Sequence, residues 1–467
     1  MCRFAFRAVL VFGVAVVASL PLAGAEPPDL DPTIRKEMAK RQIPGLSLAI
    51  VRDGKVEVAR GYGMADLELS VPARPGTVYE IGSITKQFTA AAVMQLVEEG
   101  RIALDGKITK LVPGLPGAWD GVTVRHLLTH TSGIKSTTSI PGFQRNLRKD
   151  YSQEEVIKLV ADFPLEFEPG RRWAYSNTGY FVLGMLLEKV GGKAYGELLR
   201  ERIFAPLGMS STRANDLSAV IPNRAAGYTL EKDGLHNADY LSMTQPFAAG
   251  VLVSTVEDLA RWDAALQGEK VLKAASKQEV FSPARLNDGS ATTYGFGWSF
   301  GTISGHRVIG HGGGIPGFSS SLARFVDDGV TIIVLMNTDS ASADAVLRGV
   351  ASLVIPGVTA IDPPIADKDA KTSSRLEALF LAVVKDKADL AEFTPETAKA
   401  LFPERMKPIR EFLAGQGAVT SFRLVEETEN GGLRVRRYRV EMEKISLFVL
   451  FTLAKDGKVA GLAVHPD

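Results

Sequence analysis

The chain has 467 residues, with 54 Lys and Arg against 53 Asp and Glu, 45% apolar residues and one Cys. A formal charge of +1 leaves no basic footprint for nucleic acid, and 23% charged residues beside the 45% apolar ones exclude wholesale disorder, a collagen-like chain and a disulfide scaffold. The length allows two or three domains, or one large domain with an appendage.

At the N-terminus, Arg3 and Arg7 precede the apolar run 8–20, and Ala23-Gly24-Ala25 closes it with the small-x-small pattern of a signal-peptidase site. Residues 1–25 read as a signal peptide, because the run is too short to span a bilayer comfortably. The mature protein is expected to be exported, periplasmic or secreted, with no membrane span. Cleavage removes Cys2, so the mature chain can form no intramolecular disulfide and can use no Cys nucleophile or Cys-bound metal.

Further along, Leu46–Val51 and Lys55–Arg60 flank Arg52-Asp53-Gly54 and predict a β-hairpin. Apolar positions recur at helical spacing from Ile84 to Glu99 and stop at Gly100, with more helices at Glu154–Ala161, Thr178–Val190, Tyr195–Phe204 and Thr255–Leu266. A period of two returns at Thr293–Phe300, His306–His311, Phe318–Phe325 and Val330–Asn337. The pattern predicts an α+β domain over 26–354, with a sheet built from both chain ends and a helical middle. Turn formers at 355–370 mark a linker. Beyond it, 371–467 reads as a small α+β domain of unknown role, with helices at Ser374–Leu390 and Pro395–Leu413 and strands at Thr420–Glu427, Leu433–Met442 and Ile445–Leu453.

Chemistry concentrates in three places. Ser83-Ile84-Thr85-Lys86 puts a hydroxyl and an amine on one face of a helix start, where the amine can serve the proton relay a Ser nucleophile needs. A helix N-terminus adds free N–H groups beside the Ser. The spacing alone is weak, because Ser132-Gly133-Ile134-Lys135 matches it in a stretch that reads as a loop. Tyr175-Ser176-Asn177 offers a phenol, which a nearby ammonium would help to deprotonate, and an amide to orient substrate or Lys. As a bland alternative it opens the next helix. Third, His311-Gly312-Gly313 follows an apparent strand, and its glycines allow close approach to the backbone.

In that order the three motifs resemble those of class C β-lactamases, the related serine D-alanyl-D-alanine carboxypeptidases and the esterases of the same superfamily. Tyr79–Lys86, Thr123–Gly133, Pro169–Asn177 and Gly310–Phe318 match as well, and the similarity runs from about Lys36 to Asn337. The resemblance implies a β-lactamase/transpeptidase-like sandwich with a helical subdomain and the active site between them. It makes Ser83 the acylated nucleophile, Lys86 its partner, Tyr175 the base and Asn177 a positioning residue. His311, Gly312 and Gly313 would line the substrate, and the N–H groups of Ser83 and Gly314 would form the oxyanion hole. Whether Tyr175 or Lys86 takes the first proton stays open.

One departure stands out. Class C β-lactamases carry Lys where this chain has His311, and an imidazole near pH 7 is largely neutral, so binding of a substrate carboxylate is weakened. The expected activity is therefore hydrolysis of ester or amide bonds in a small-molecule or peptide acyl substrate, as by an esterase or a D-Ala-D-Ala carboxypeptidase, without cofactor or metal, ahead of a class C-like β-lactamase. A weakly catalytic binder of penicillin or cell-wall peptides is the rival from another class. Oligomeric state is not set by the sequence. Gly312–Gly317 has the letters of a dinucleotide fingerprint but leads into a strand, and His126 and His130 lack the intervening Glu of a helical zinc motif. A triad of His311 with Asp258 or Asp339 would leave Lys86 and Tyr175 unexplained.

Overall fold

Strands β1 (Gly45–Arg52) and β7 (Val330–Met336) are buried along almost their whole length, as apolar runs covered on both faces should be. This computed structural model describes residues 29–361, 363–403, 406–430 and 433–466, so the signal-peptide reading of 1–25 lies outside the described residues. The two strands pair antiparallel, Leu46 opposite Met336, and form the middle of a seven-stranded sheet. With β2 (Lys55–Asp66), β3 (Val71–Pro72), β4 (Ser299–Ile303), β5 (His306–Ile315) and β6 (Phe318–Phe325), the order is β3-β2-β1-β7-β6-β5-β4, antiparallel throughout. The predicted hairpin turns at Asp53 (φ 48°) and Gly54 (φ 77°), whose two left-handed residues match the strand twist.

Helices α1 (Asp31–Arg41) and α5 (Ala343–Val354) cover one face around Ile34, Val346 and Val350. The other face packs on α4 (Val256–Gln267) and on the helical region that holds α2 (Thr85–Glu98) and α3 (Asn177–Gly191). Apart from Gln95 and its last two residues, α2 is buried on every side, so it lies within the core as the central helix. The expected sheet from both chain ends with a helical middle is what forms.

Thr293–Trp298, expected as strand, is an irregular segment. Its alternation comes from Tyr294, Phe296 and Trp298 all entering the core, while Gly297 (φ 79°) turns the chain against the Lys86 carbonyl. Conversely, β5 continues past His311 to Ile315, because pairing such as Gly312 with Ser321 overrides glycine's poor strand propensity.

The C-terminal residues have their own core and a four-stranded antiparallel meander, β8 (Val419–Asn430), β9 (Leu433–Met442), β10 (Ser446–Leu453) and β11 (Val459–Pro466). Helices α6 (Ala370–Val384), α7 (Pro395–Leu401) and α8 (Met406–Ala414) pack on it; the long helix expected over Pro395–Leu413 is split around Pro403. Strand β11 was not expected. Arg436, fully buried in β9, ion-pairs with Glu427 at 2.8 Å and with Asp367, which ties the linker to this sheet.

Candidate active site

Strand β5 runs beside the turn that starts α2, and the contact is backbone on backbone. A Cβ at Gly313 would stand 2.1 Å from the Ile81 carbonyl oxygen, and one at Gly82 (φ 48°) would stand 2.9 Å from the Gly314 nitrogen. The glycines of the third motif therefore admit the protein's own Ile81–Gly82 backbone. Their effect is to bring the Gly314 backbone next to the residue that precedes Ser83.

Ser83 sits in the single 3₁₀ turn Gly82–Ile84 that enters α2, where N–H groups lack helical partners. Lys86 follows one turn later. Its Nζ lies 3.0 Å from Ser83 Oγ, 2.9 Å from Asn177 Oδ1 and 2.7 Å from the Ala249 carbonyl. The Tyr175 hydroxyl lies 2.8 Å from the same Ser83 Oγ. Asn177 is the first residue of α3, capped by Ser176; its Nδ2 donates to Thr138 Oγ1 at 3.3 Å and its backbone N–H to Ser136 Oγ at 3.1 Å. Two stretches far apart in sequence thus meet on one hydroxyl, while the third motif lies against the backbone of the turn that carries it.

The surroundings fix the charge states. Lys86 is wholly buried, and loss of hydration holds its amine well below the usual lysine range. Burial also pushes the Tyr175 phenol upward although 36% of the residue is exposed, so the expected easing toward phenolate is not found. Burial is the main cause that lowers His311 to about 4. Its Nδ1 faces the Gly312 carbonyl at 2.6 Å, which can only accept, so Nδ1 carries the proton and Nε2 accepts from the Tyr294 hydroxyl at 2.8 Å. His311 is a neutral imidazole with both nitrogens engaged, in keeping with the expected loss of fixed positive charge.

The rival assignments dissolve. Ser132 Oγ accepts its own loop's Ile134 N–H, and Lys135 pairs with Glu166 at 3.1 Å. Asp258 accepts from Ser211 and Thr212, and Asp339 from Gly317 and Thr229, so neither holds His311. His126 Nδ1 caps its own short helix and His130 Nδ1 accepts the Ser176 N–H; among the described residues no group of His, Cys, Asp and Glu could hold a metal ion. Gly312–Gly317 forms the end of β5 and the turn into β6, with no helix to receive a phosphate. Cavities of about 230 Å³ beside Phe402 and about 290 Å³ between Ser304 and Ile365 contain none of the motif residues.

Sequence reasoning missed Tyr294, the Ala249 carbonyl and the placement of His130 behind Tyr175. For Tyr294 the signal was the aromatic alternation, taken as a strand. A carbonyl has no signature, since every residue carries one.

A family model described as Beta-lactamase matches residues 30–354. The chain is 28% identical over 429 residues to Penicillin-binding protein 4* of Bacillus subtilis (strain 168), covering 83% of this chain and 94% of that one. Among solved structures it resembles the octameric penicillin-binding protein homologue from Pyrococcus abyssi, with a TM-score of 0.60, 25% identity and coverage of 94% and 95%. It also resembles D-amino acid amidase from Ochrobactrum anthropi SV3, with a TM-score of 0.62, 28% identity and coverage of 70% of this chain and 98% of that one. No helix among the described residues is long and apolar enough to cross a membrane.

Proposed function

The chain belongs to the Beta-lactamase family, and from that premise we propose that it is an exported serine hydrolase that cleaves ester or amide bonds through an acyl-enzyme on Ser83. The carrying observation is one hydroxyl with the buried Lys86 amine at 3.0 Å and the Tyr175 phenol at 2.8 Å. Export rests on the basic, apolar and small-residue pattern of 1–25.

The charge states favour Lys86 as first proton acceptor. A neutral amine has two hydrogens and one lone pair. Ala249 O and Asn177 Oδ1 take the hydrogens, which turns the lone pair toward Ser83. Ser83 Oγ gives its proton to Lys86 Nζ and attacks the acyl carbon, while the N–H groups of Ser83 and Gly314 hold the developing oxyanion; one such donor is worth roughly 2.7–4 kcal/mol. Tyr175, a phenol that holds its proton at neutral pH, gives it to the leaving group. In deacylation the Tyr175 phenolate takes a proton from water, the hydroxide attacks the ester, and Lys86 returns its proton to Ser83 Oγ. Every group ends as it began.

A neutral His311 supplies no charge for a substrate carboxylate, so amides and esters without one are the favoured class, D-amino acid amides and short-chain p-nitrophenyl esters included. A panel of matched neutral and carboxylate-bearing esters, with a penicillin, tests this. The parent should prefer the neutral member, and His311→Lys should shift relative kcat/KM toward the charged one by about tenfold or more, the worth of a charge-assisted hydrogen bond. An unchanged ratio would refute the reading of His311.

A further inference from the structure

We infer that His130 is the positioning residue that sets the Tyr175 hydroxyl on Ser83. The proposal rests on the reading of Tyr175 as a proton-transfer group. His130 brackets that tyrosine through the backbone on both sides: its carbonyl accepts the Ala174 N–H at 2.9 Å, and its Nδ1 accepts the Ser176 N–H at 3.1 Å. Between these two bonds its ring lies against the Tyr175 ring, centroids 4.3 Å apart and planes 40° apart. The rings of Tyr294 at 4.7 Å and Tyr180 at 5.1 Å hold the imidazole from other directions, and Tyr180 is itself anchored by its hydroxyl on the Leu128 carbonyl.

Two features are costly for a residue that only fills space. His130 has φ 58°, a left-handed conformation that a residue with a Cβ rarely adopts outside a specific demand. Because Nδ1 accepts, the proton sits on Nε2, which is buried with no nitrogen or oxygen partner among the described residues. An aliphatic or phenyl side chain would avoid the unpartnered N–H, and Gly would avoid the strain. Only imidazole combines an acceptor two bonds from Cβ, where it reaches the Ser176 N–H, with a flat ring broad enough to set the tilt of Tyr175. His130 is the nearest ring to the part-exposed Tyr175, at 4.3 Å against 6.3 Å for both Tyr294 and His311, so its support bears most on whether the 2.8 Å contact to Ser83 is kept.

The test compares His130→Ala, His130→Asn, Tyr175→Phe and the double variant His130→Ala/Tyr175→Phe. Active sites are counted by exhaustive fluorophosphonate labelling, and kcat per labelled site is measured with a p-nitrophenyl ester. In His130→Ala, kcat per site should fall about 10- to 100-fold with KM within about twofold, as for a displaced catalytic group. His130→Asn should recover most of that loss, because its Oδ1 stands where Nδ1 stood and Asn tolerates the left-handed backbone. The double variant should be no slower than Tyr175→Phe alone, since His130 acts through that residue. Fewer labelled sites with parental kcat per site in His130→Ala, or additive losses in the double variant, would overturn the positioning role alone. Parental kcat in Tyr175→Phe would instead sink the reading of Tyr175 itself. Should His130→Ala not fold, His130→Gln, whose amide lies one bond too far from Cβ to accept the Ser176 N–H, serves the same comparison.

Discussion

Ser83→Ala is expected to lower kcat for esters and amides by roughly 10⁶-fold, the scale on which a serine hydrolase depends on its nucleophile. The same change at Ser132 should leave kcat within about twofold and cost about 1 kcal/mol of stability, that of one hydrogen bond. The two serines sit in the same Ser-x-x-Lys spacing, so the contrast isolates three-dimensional setting from sequence pattern. Ser83 shares its oxygen with Lys86 and Tyr175, while Ser132 Oγ accepts from Ile134 and Lys135 is spent on Glu166. Steady-state turnover, with folding checked by circular dichroism, reads the outcome. Comparable turnover in Ser83→Ala and the parent would contradict the assignment.

Lys86→Met is expected to cost about 10²–10⁴ in kcat, the range of a general base. Met keeps the volume and the apolar stem in a site that has no exposure, so the core around α2 should hold. What is lost is the only amine within reach of Ser83 Oγ among the described residues. Ala249 O and Asn177 Oδ1 lose their donor, which weakens packing locally but removes the cost of burying an ionisable amine. The measured signature is a large fall in kcat with a small change in Tm. A fall in Tm that accounts for the activity loss would make Lys86 structural.

The α+β architecture was legible in the sequence because its central strands are mostly apolar runs and its first turn is Asp-Gly. Errors arose where a tertiary contact overrode the local pattern. Tyr294, Phe296 and Trp298 alternate like a strand but are drawn into the core from a loop, and Gly312–Gly314 look like a break but are held as strand by β6. Helix α1, whose apolar residues show little helical periodicity, was not expected, nor were the strongly amphipathic α5 and strand β11. The motifs brought together Ser83, Lys86, Tyr175, Asn177 and His311 because each needs a particular functional group. The supporting groups were invisible for a physical reason. Ala249 contributes a carbonyl from 163 positions away, and His130 accepts the backbone N–H groups of Ala174 and Ser176, which every residue but proline carries. His311 was read as weakly charged from its chemistry alone; its Tyr294 partner needed the fold.

The most direct measurement is peptide mapping by mass spectrometry after treating the protein with a fluorophosphonate. A single adduct on the peptide that contains Ser83, absent in Ser83→Ala and retained in Ser132→Ala, is the predicted result. An adduct on Ser132 or elsewhere, or no adduct while ester turnover persists, would contradict the convergence of Ser83, Lys86 and Tyr175 as the reacting centre.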